Sequence, residues 1–123
     1  MITLATLSTT SSQEVFDTVA KHLLTQKSKS VMDFHGIPSC AYRGENGTKC
    51  AAGCLISDEE YNAAWEQSSW HVLNMAGSVP THHLLLIKHL QTVHDSMGVE
   101  RWKSGLSNVA HMHYLDDTVL DSF

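Results

Sequence analysis

Residues 40–56 read CAYRGENGTKCAAGCLI, and this stretch decides how the rest of the chain is interpreted. Asn46-Gly47 lies in a short polar loop, and Asn-Gly between strand-like segments is the strongest local signal for a β-hairpin. The flanking residues 40–43 and 49–52 are the predicted strands. The stretch therefore predicts a β-hairpin near the middle of the chain.

Four helical patterns surround the predicted hairpin. Ser11 and Glu14 form a capping box, after which apolar residues repeat at helical spacing to about Lys27. Ser57 and Glu60 form a second capping box directly after the hairpin, which predicts a short helix there. Residues 70–76 fit either a helical turn or a loop.

The last two helices form an antiparallel pair. Ser78-Val79-Pro80 starts the third helix, because proline is tolerated in a first helical turn, and Gly98 ends it as a left-handed residue. The fourth follows from Trp102 after a short link, which makes the two helices antiparallel neighbours. We therefore predict an α+β, mainly helical single domain over residues 1–123, with about four helices and one β-hairpin. Residues 1–10 are predicted to form a short strand or to be disordered.

The net charge of −5 is unevenly distributed along the chain. Residues 57–123 carry three Lys or Arg against nine Asp or Glu, so no cluster of cations is available to displace the counterions of a nucleic acid. The longest apolar run, Leu84–Ile87, is far shorter than the roughly 20 residues of a membrane span. We predict neither a nucleic acid nor a membrane as partner.

Two features indicate a reducing cytoplasm. Three cysteines, an odd number, fit poorly with the disulfide framework of a secreted protein. Residues 1–12 lack the positively charged region and the cleavage pattern of a signal peptide.

The cysteines are the first candidates for chemistry. Cys40 and Cys50 lie opposite one another on the predicted hairpin, whereas Cys54 would be about 13 Å further along an extended strand. At most two thiols converge, and Cys40 and Cys50, with His35 as a third ligand, are therefore candidate zinc ligands. The spacing C-x9-C-x3-C is not a standard zinc pattern, and burial of all three cysteines as small apolar residues is the simpler interpretation.

Seven of the nine histidines lie beyond residue 70. Folding the third and fourth helices back on each other about Gly98 places His83 near His113, with Asp117 as a carboxylate ligand. Imidazole suits zinc, nickel, copper and iron. We expect no cofactor, but zinc or another transition metal at these residues is the alternative. Hydrogen-bonded polar residues at the open end of the helical pair are the competing interpretation.

Three further positions carry specific predictions. The dipeptide His94-Asp95 matches the metal-binding pair of phosphohydrolases but lacks partner histidines at matching places, so we interpret it as a histidine at a helix C-terminus beside a solvated aspartate. Arg43 at the predicted hairpin tip is a candidate interaction residue, because a guanidinium fork binds anions. Trp70 is a second one, because exposed aromatic residues mark partner surfaces.

The segment CAYRGENGTKCAAGCLISDEEY resembles one found in small uncharacterised proteins of bacteriophages and bacteria. In that group a Cys-x-Tyr-Arg-Gly hairpin, a Lys-Cys-Ala, a Gly-x-Leu-Ile and an Asp-Glu-x-Tyr helix start follow one another. Leu90-Gln91-x-x-His94-Asp95 is similar to the same group, and the likeness covers about residues 13–117. The resemblance implies a small phage-encoded protein acting in the cytoplasm of a bacterial cell, and it implies no activity.

Two functions from different classes fit the sequence. The first is an accessory protein that binds and modulates a host or phage protein, which agrees with the small size, the acidic C-terminal half and the lack of a complete catalytic signature. The second is a small metal-binding protein or metal-dependent enzyme that uses the clustered histidines. Both leave self-association open, and no motif identifies a catalytic residue.

Overall fold

Four α-helices and one two-stranded antiparallel sheet make up the regular structure of the computed structural model, which describes all 123 residues. The predicted α+β, mainly helical fold is confirmed. The helices are α1 (Ser12–Gln26), α2 (Trp70–Met75), α3 (Leu84–Ser96) and α4 (Trp102–Met112), and the strands are β1 (Val31–Phe34) and β2 (Ile37–Cys40). Short 3₁₀ helices form at Leu4–Thr9, Glu45–Gly47, Gly53–Leu55, Ala63–Trp65, Val99–Arg101 and Thr118–Ser122.

Helix α1 confirms its predicted start and its apolar stripe. The Ser11 hydroxyl accepts a hydrogen bond from the Glu14 amide at 3.1 Å, and the Glu14 carboxylate accepts one from the Ser11 amide. The helix ends at Lys27, which adopts a left-handed conformation. Its stripe packs against α3 and α4, and every predicted member is buried: Val15, Phe16, Val19, Ala20, Leu23 and Leu24.

The β-hairpin lies earlier in the chain than predicted. Strands β1 and β2 are joined by His35-Gly36, whose φ angles are 55° and 84°. Two positive φ angles are the requirement of a type I′ turn, the two-residue connection that best matches strand twist. The register pairs Phe34 with Ile37 and Val31 with Cys40. The connection expected before the predicted hairpin is thus the hairpin itself.

Pro38 fits this hairpin because of the hydrogen-bond alternation. The Ala41 amide donates to the Ser30 carbonyl at 3.0 Å, so Ser30 and Ala41 form a hydrogen-bonded pair. In an antiparallel ladder the next pair, Val31 and Cys40, is then not hydrogen-bonded, and its backbone groups point away from the partner strand. Pro38, two residues before Cys40, lies at an equivalent position, where its missing N–H breaks no ladder bond.

The predicted hairpin at residues 40–52 is wrong, although Asn46-Gly47 does form a local turn. Asn46 and Gly47 have φ angles of 60° and 72°, and the Gly44 amide donates to the Thr48 carbonyl at 2.9 Å. The flanking segments do not pair, because the chain turns again at Gly53–Leu55. Gly53 allows this turn, since a Cβ at that position would collide with the carbonyl oxygen of Tyr42.

The second capping box forms without the predicted helix. The Ser57 amide donates to the Glu60 carboxylate at 3.0 Å and the Glu60 amide donates to the Ser57 hydroxyl at 3.3 Å. The same carboxylate also accepts from the Leu4 and Ala5 amides at 2.9 Å each. Residues Leu4–Thr9 therefore start a 3₁₀ helix, not the predicted strand.

Helices α3 and α4 form the predicted antiparallel pair with shifted ends. Helix α3 begins at Leu84 and not at Ser78. His83 adopts a left-handed conformation, which prevents the helix from extending toward Ser78. Gly98 has φ −64°, so the prediction of a left-handed residue there is wrong. The apolar stripe of α4, Trp102, Leu106, Val109 and Ala110, is buried as predicted. None of the helices combines the length and hydropathy needed to cross a membrane.

Candidate functional site

Side chains of Cys40, His94 and Asp95 meet at one edge of the molecule. Cys40 is the last residue of β2, and the other two lie in the final turns of α3. One ligand-type atom from each residue lies within 4.8 Å of the other two. The fold thus brings a thiol to an imidazole and a carboxylate that lie more than fifty residues further along the sequence.

His94 is fully buried and its protonation state follows from its partners. The Ser30 amide donates to Nε2 at 2.9 Å, so Nε2 carries no proton. The single proton of the neutral ring is then on Nδ1, which donates to Oδ1 of Asp95 at 2.7 Å. The ring also stacks on Trp102 with centroids 5.4 Å apart. The predicted position of His94 in the last turn of a helix is confirmed, but α3 turns its side chain into the core.

The Asp95 carboxylate collects hydrogen bonds from neutral donors only. Besides His94, the Gln91 side-chain amide donates to Oδ1 at 2.7 Å, and the Cys40 thiol donates to the same carboxylate. Burial alone would raise the pKa of Asp95, but these hydrogen bonds bring it below its usual value. The side chain is 38% exposed, so the site presents an ionised carboxylate whose donors carry no charge.

All three cysteines are free thiols with raised pKa values. Burial, and then the charge and hydrogen bond of Asp95, raise the pKa of Cys40 to about 11. Burial raises the pKa of Cys54 to about 12 and raises that of Cys50 further. Since the thiolate is the nucleophile and the metal ligand, none of the cysteines is activated near neutral pH.

A cleft of about 520 Å³ opens beside the cluster. One wall is the end of β2 with the residues that follow it, and a second is the segment that leads into α2. The third wall is one face of α3, where Lys88, Gln91, Thr92 and Asp95 recur at helical spacing. The cleft is lined by both polar and apolar groups and lies on the surface within reach of a partner.

Trp70 lies in the wall of this cleft and is not an exposed interaction residue as predicted. Its side chain is only 2% exposed and packs near the Tyr42 ring. Its indole nitrogen is the one buried side-chain polar atom with no hydrogen-bond partner in the protein. An unpaired buried donor is costly, and this nitrogen is closed off from solvent by the surrounding packing.

Arg43 is a structural residue and does not lie at a hairpin tip. Its guanidinium donates to the carbonyls of Gly53 at 2.7 Å and Ile56 at 2.6 Å. It also pairs with Asp58 at 3.2 Å and lies 5.0 Å from the centroid of the Tyr61 ring. The side chain is 18% exposed, and its donors are used to hold the turn at residues 53–56.

The predicted histidine metal site does not assemble. His83 binds the Thr10 carbonyl at 2.7 Å and the Ser12 hydroxyl at 3.1 Å, and it forms no hydrogen bond with His113 or Asp117. His113 instead meets His89, with Nε2 and Nδ1 2.8 Å apart. Asp117 accepts from the Ser107 hydroxyl at 2.8 Å. The expected pairing failed because α3 starts six residues later than its predicted first residue, Ser78, and the link does not fold about Gly98.

The predicted pairing of Cys40 with Cys50 also depended on the misplaced hairpin. Cys40 pairs with Val31 across the real hairpin, and its thiol turns to Asp95. Cys50 is buried and accepts a hydrogen bond from the Gly53 amide at 3.3 Å. Both residues border the cleft, but no second strand holds them opposite one another.

Two residues of the site were not identified from the sequence. Ser30 supplies the amide that sets the His94 proton, and nothing in its local sequence signals that role. Gln91 donates to Asp95 and accepts from the Ala52 amide at 2.9 Å. Its spacing of four residues from Asp95 on a helix was the available signal.

The chain matches no protein-family model, and no curated protein and no solved structure is significantly similar to it. Its function is therefore argued from the geometry of this site.

Proposed function

We propose that the protein is a small non-enzymatic accessory protein that binds a bacterial or phage protein through the cleft and modulates it. The observation that carries this proposal is the cleft of about 520 Å³ that opens beside the partly exposed, ionised carboxylate of Asp95. Such a surface concavity with a charged group at its wall is the usual form of a binding site. The resemblance of residues 40–61 to a segment of phage and bacterial proteins supports a partner in the bacterial cytoplasm.

The chemistry of the cluster supports binding over catalysis. A nucleophilic cysteine needs a base in hydrogen-bond reach, yet both nitrogens of His94 already have partners, and the thiol of Cys40 is held protonated by a pKa of about 11. The lowered pKa of Asp95 makes it a weak general base near neutral pH. A thiol, an imidazole and a carboxylate are close together. Both the thiol and the imidazole face the carboxylate and not each other, so none of the three is activated.

The test is capture of a partner with a blocked cleft. Thr92→Trp places a bulky side chain on the exposed α3 face of the cleft, and Thr25→Trp makes the same change on the exposed surface of α1. The wild type and Thr25→Trp should recover one stoichiometric protein from bacterial lysate, which Thr92→Trp should lose. Recovery of no such protein by the wild type, or equal recovery by both variants, would contradict the proposal.

A metal-binding function is the second candidate, because Cys40, His94 and Asp95 form a three-ligand group of compatible size. One feature counts against it. Metal-ligating histidines normally donate from the nitrogen that does not bind the metal, whereas Nε2 of His94 accepts from Ser30. A metal on Nδ1 would displace the proton that this nitrogen carries. The ring would then be anionic, or Nε2 would take up a proton and the hydrogen bond from the Ser30 amide would break.

Elemental analysis distinguishes this candidate. Protein purified without a metal-affinity tag should contain less than about 0.1 equivalents of zinc, nickel, copper or iron and should not change in thermal stability with a chelator. A stoichiometric metal that Cys40→Ser removes would establish the second candidate.

A further inference from the structure

We infer that the cleft takes a short extended polypeptide segment that pairs with the free edge of β2 at Cys40 and places a lysine or arginine side chain on Asp95. This inference rests on the proposed function, since the segment would belong to the bound protein. It specifies the chemistry of the partner at the cleft.

The free edge of β2 provides the backbone contacts. The Ser30–Ala41 hydrogen bond makes Cys40 a residue whose N–H and C=O point away from β1. Neither group has another partner in the protein, and Cys40 borders the cleft. One donor and one acceptor on the same residue fit a single residue of an added antiparallel strand, which is the common mode of strand addition.

Pairing at Cys40 also determines which side chain reaches Asp95. Residues directly opposite in an antiparallel pair project to the same face of the sheet, with Cβ atoms about 4.5–5.5 Å apart. The Cys40 side chain projects toward Asp95, with its sulfur within 4.8 Å of a carboxylate oxygen. The residue that pairs with Cys40 would therefore project its side chain toward the same carboxylate.

Charge selects a basic side chain at this position. The three groups that donate to the Asp95 carboxylate are neutral, and the only ion-pair contact of this carboxylate is with His94, whose ring carries a single proton. The ionised carboxylate remains partly exposed in the cleft. Lys29 donates to the main-chain carbonyl of Asp95 at 3.2 Å but forms no ion pair with the carboxylate, so a lysine or arginine of the segment would form a charge-assisted hydrogen bond there.

The dimensions of the cleft suit a segment of about three residues. Lys88 and Asp95 lie on the same face of α3, seven residues and thus about 10 Å apart, which is the length of three extended residues. Pro38, which lacks an N–H, ends the donor row of the β2 edge and keeps the pairing short.

Capped pentapeptides test the inference by NMR titration of the intact protein. Ac-Thr-Val-Lys-Val-Thr-amide should shift the Cys40 amide, the Trp70 indole N–H and the Asp95 amide. A matched peptide with central norleucine should bind about tenfold more weakly, and so should a peptide that is N-methylated at the central lysine. The first loses the charge and the second loses the donor to the Cys40 carbonyl.

Variants of the protein supply the matched control. Asp95→Asn should weaken the lysine peptide about tenfold and leave the norleucine peptide unchanged, whereas Asp121→Asn, in the C-terminal 3₁₀ helix, should change neither. Equal binding of the lysine, norleucine and N-methylated peptides overturns the inference, as does equal binding of n-butylamine and the lysine peptide. The peptide comparisons on the wild type stand even if Asp95→Asn does not fold.

The failure of this inference is distinguishable from the failure of the proposed function. If a partner is captured from lysate and lost with Thr92→Trp while none of the peptides binds, the cleft binds a protein by another chemistry. If neither capture nor peptide binding is observed, the proposed function fails as well.

Discussion

His94 and His89 lie five residues apart on α3, and each donates or accepts hydrogen bonds through a ring nitrogen, yet their surroundings differ. At 100° per residue the two side chains point about 140° apart around the helix. His94 faces the core, where both nitrogens have hydrogen-bond partners and the ring stacks on Trp102. His89 faces the outer side of the α3–α4 pair and shares one hydrogen bond with His113. Burial on one helix face makes a histidine structural, while partial exposure on the other leaves it in contact with solvent.

The largest difference between the two sites should be in stability. His94→Ala removes a fully buried ring and leaves the Ser30 amide without its acceptor and Asp95 with one donor fewer, so we expect a loss of about 3–5 kcal/mol in the free energy of unfolding. His89→Ala removes a partly exposed ring and should cost less than about 1 kcal/mol. Urea denaturation of both variants measures the difference. Similar losses for the two would show that burial does not separate the sites.

Thiol reactivity sharpens the comparison at the cluster. A rise of the Cys40 pKa from 9.0 to about 11 lowers the thiolate fraction near pH 8 about a hundredfold. Iodoacetamide should therefore modify the folded protein about a hundred times more slowly than the urea-unfolded chain, as followed by mass spectrometry. Modification of Cys40 at the rate of an unfolded thiol would mean that Asp95 does not hold its proton.

The smallest expected effect is the pH dependence of stability that arises from the His89–His113 pair. Burial, and then the charge of His89, lower the pKa of His113 below 6.5. The unfolded chain binds more protons in the window just below pH 6.5, so stability should fall there on acidification. His113→Gln should remove about 0.5 kcal/mol of this dependence, because solvent screens a partly exposed pair.

Asp95, in the Cys40–His94–Asp95 cluster, should affect the pH dependence of stability only at lower pH. Since the pKa of Asp95 is below 3.8 in the folded state, its contribution is present above pH 4 and is lost only as the pH falls further. Asp95→Asn should leave the slope between pH 7 and 5 unchanged. If Asp95→Asn changed the slope of the unfolding free energy between pH 7 and 5, or if His113→Gln did not change the pH dependence just below pH 6.5, the pH dependence would not come from His113.

Local patterns predicted the elements whose signals are self-contained. The Ser11–Glu14 capping box and the apolar stripes of α1 and α4 require only residues three or four positions apart, and they formed as expected. The Ser57–Glu60 box shows the limit of such signals. Its hydrogen bonds formed, but the carboxylate also bound the amides of Leu4 and Ala5, and no helix followed.

The hairpin was misplaced because two turn signals competed. Asn46-Gly47 is the stronger one by residue type, and both residues adopt left-handed conformations. His35-Gly36 adopts the same kind of turn, and its flanking segments can pair because nothing else binds them. The segment after Asn46-Gly47 is held instead by the Arg43 guanidinium, which binds two carbonyls ten and thirteen residues along the chain. Such a contact produces no repeating pattern in the sequence from which it could be predicted.

The sequence by itself determined the fold class, the helical stripes and the positions where the chain turns, because these depend on contacts within one or two helical turns. Only the tertiary structure decided which turn became the hairpin and which side chains met. Cys40, His94, Asp95 and the indole N–H of Trp70 come together from three separate segments. Their burial and their hydrogen-bond partners, which decide whether a thiol or an imidazole is reactive, arise only when those segments pack.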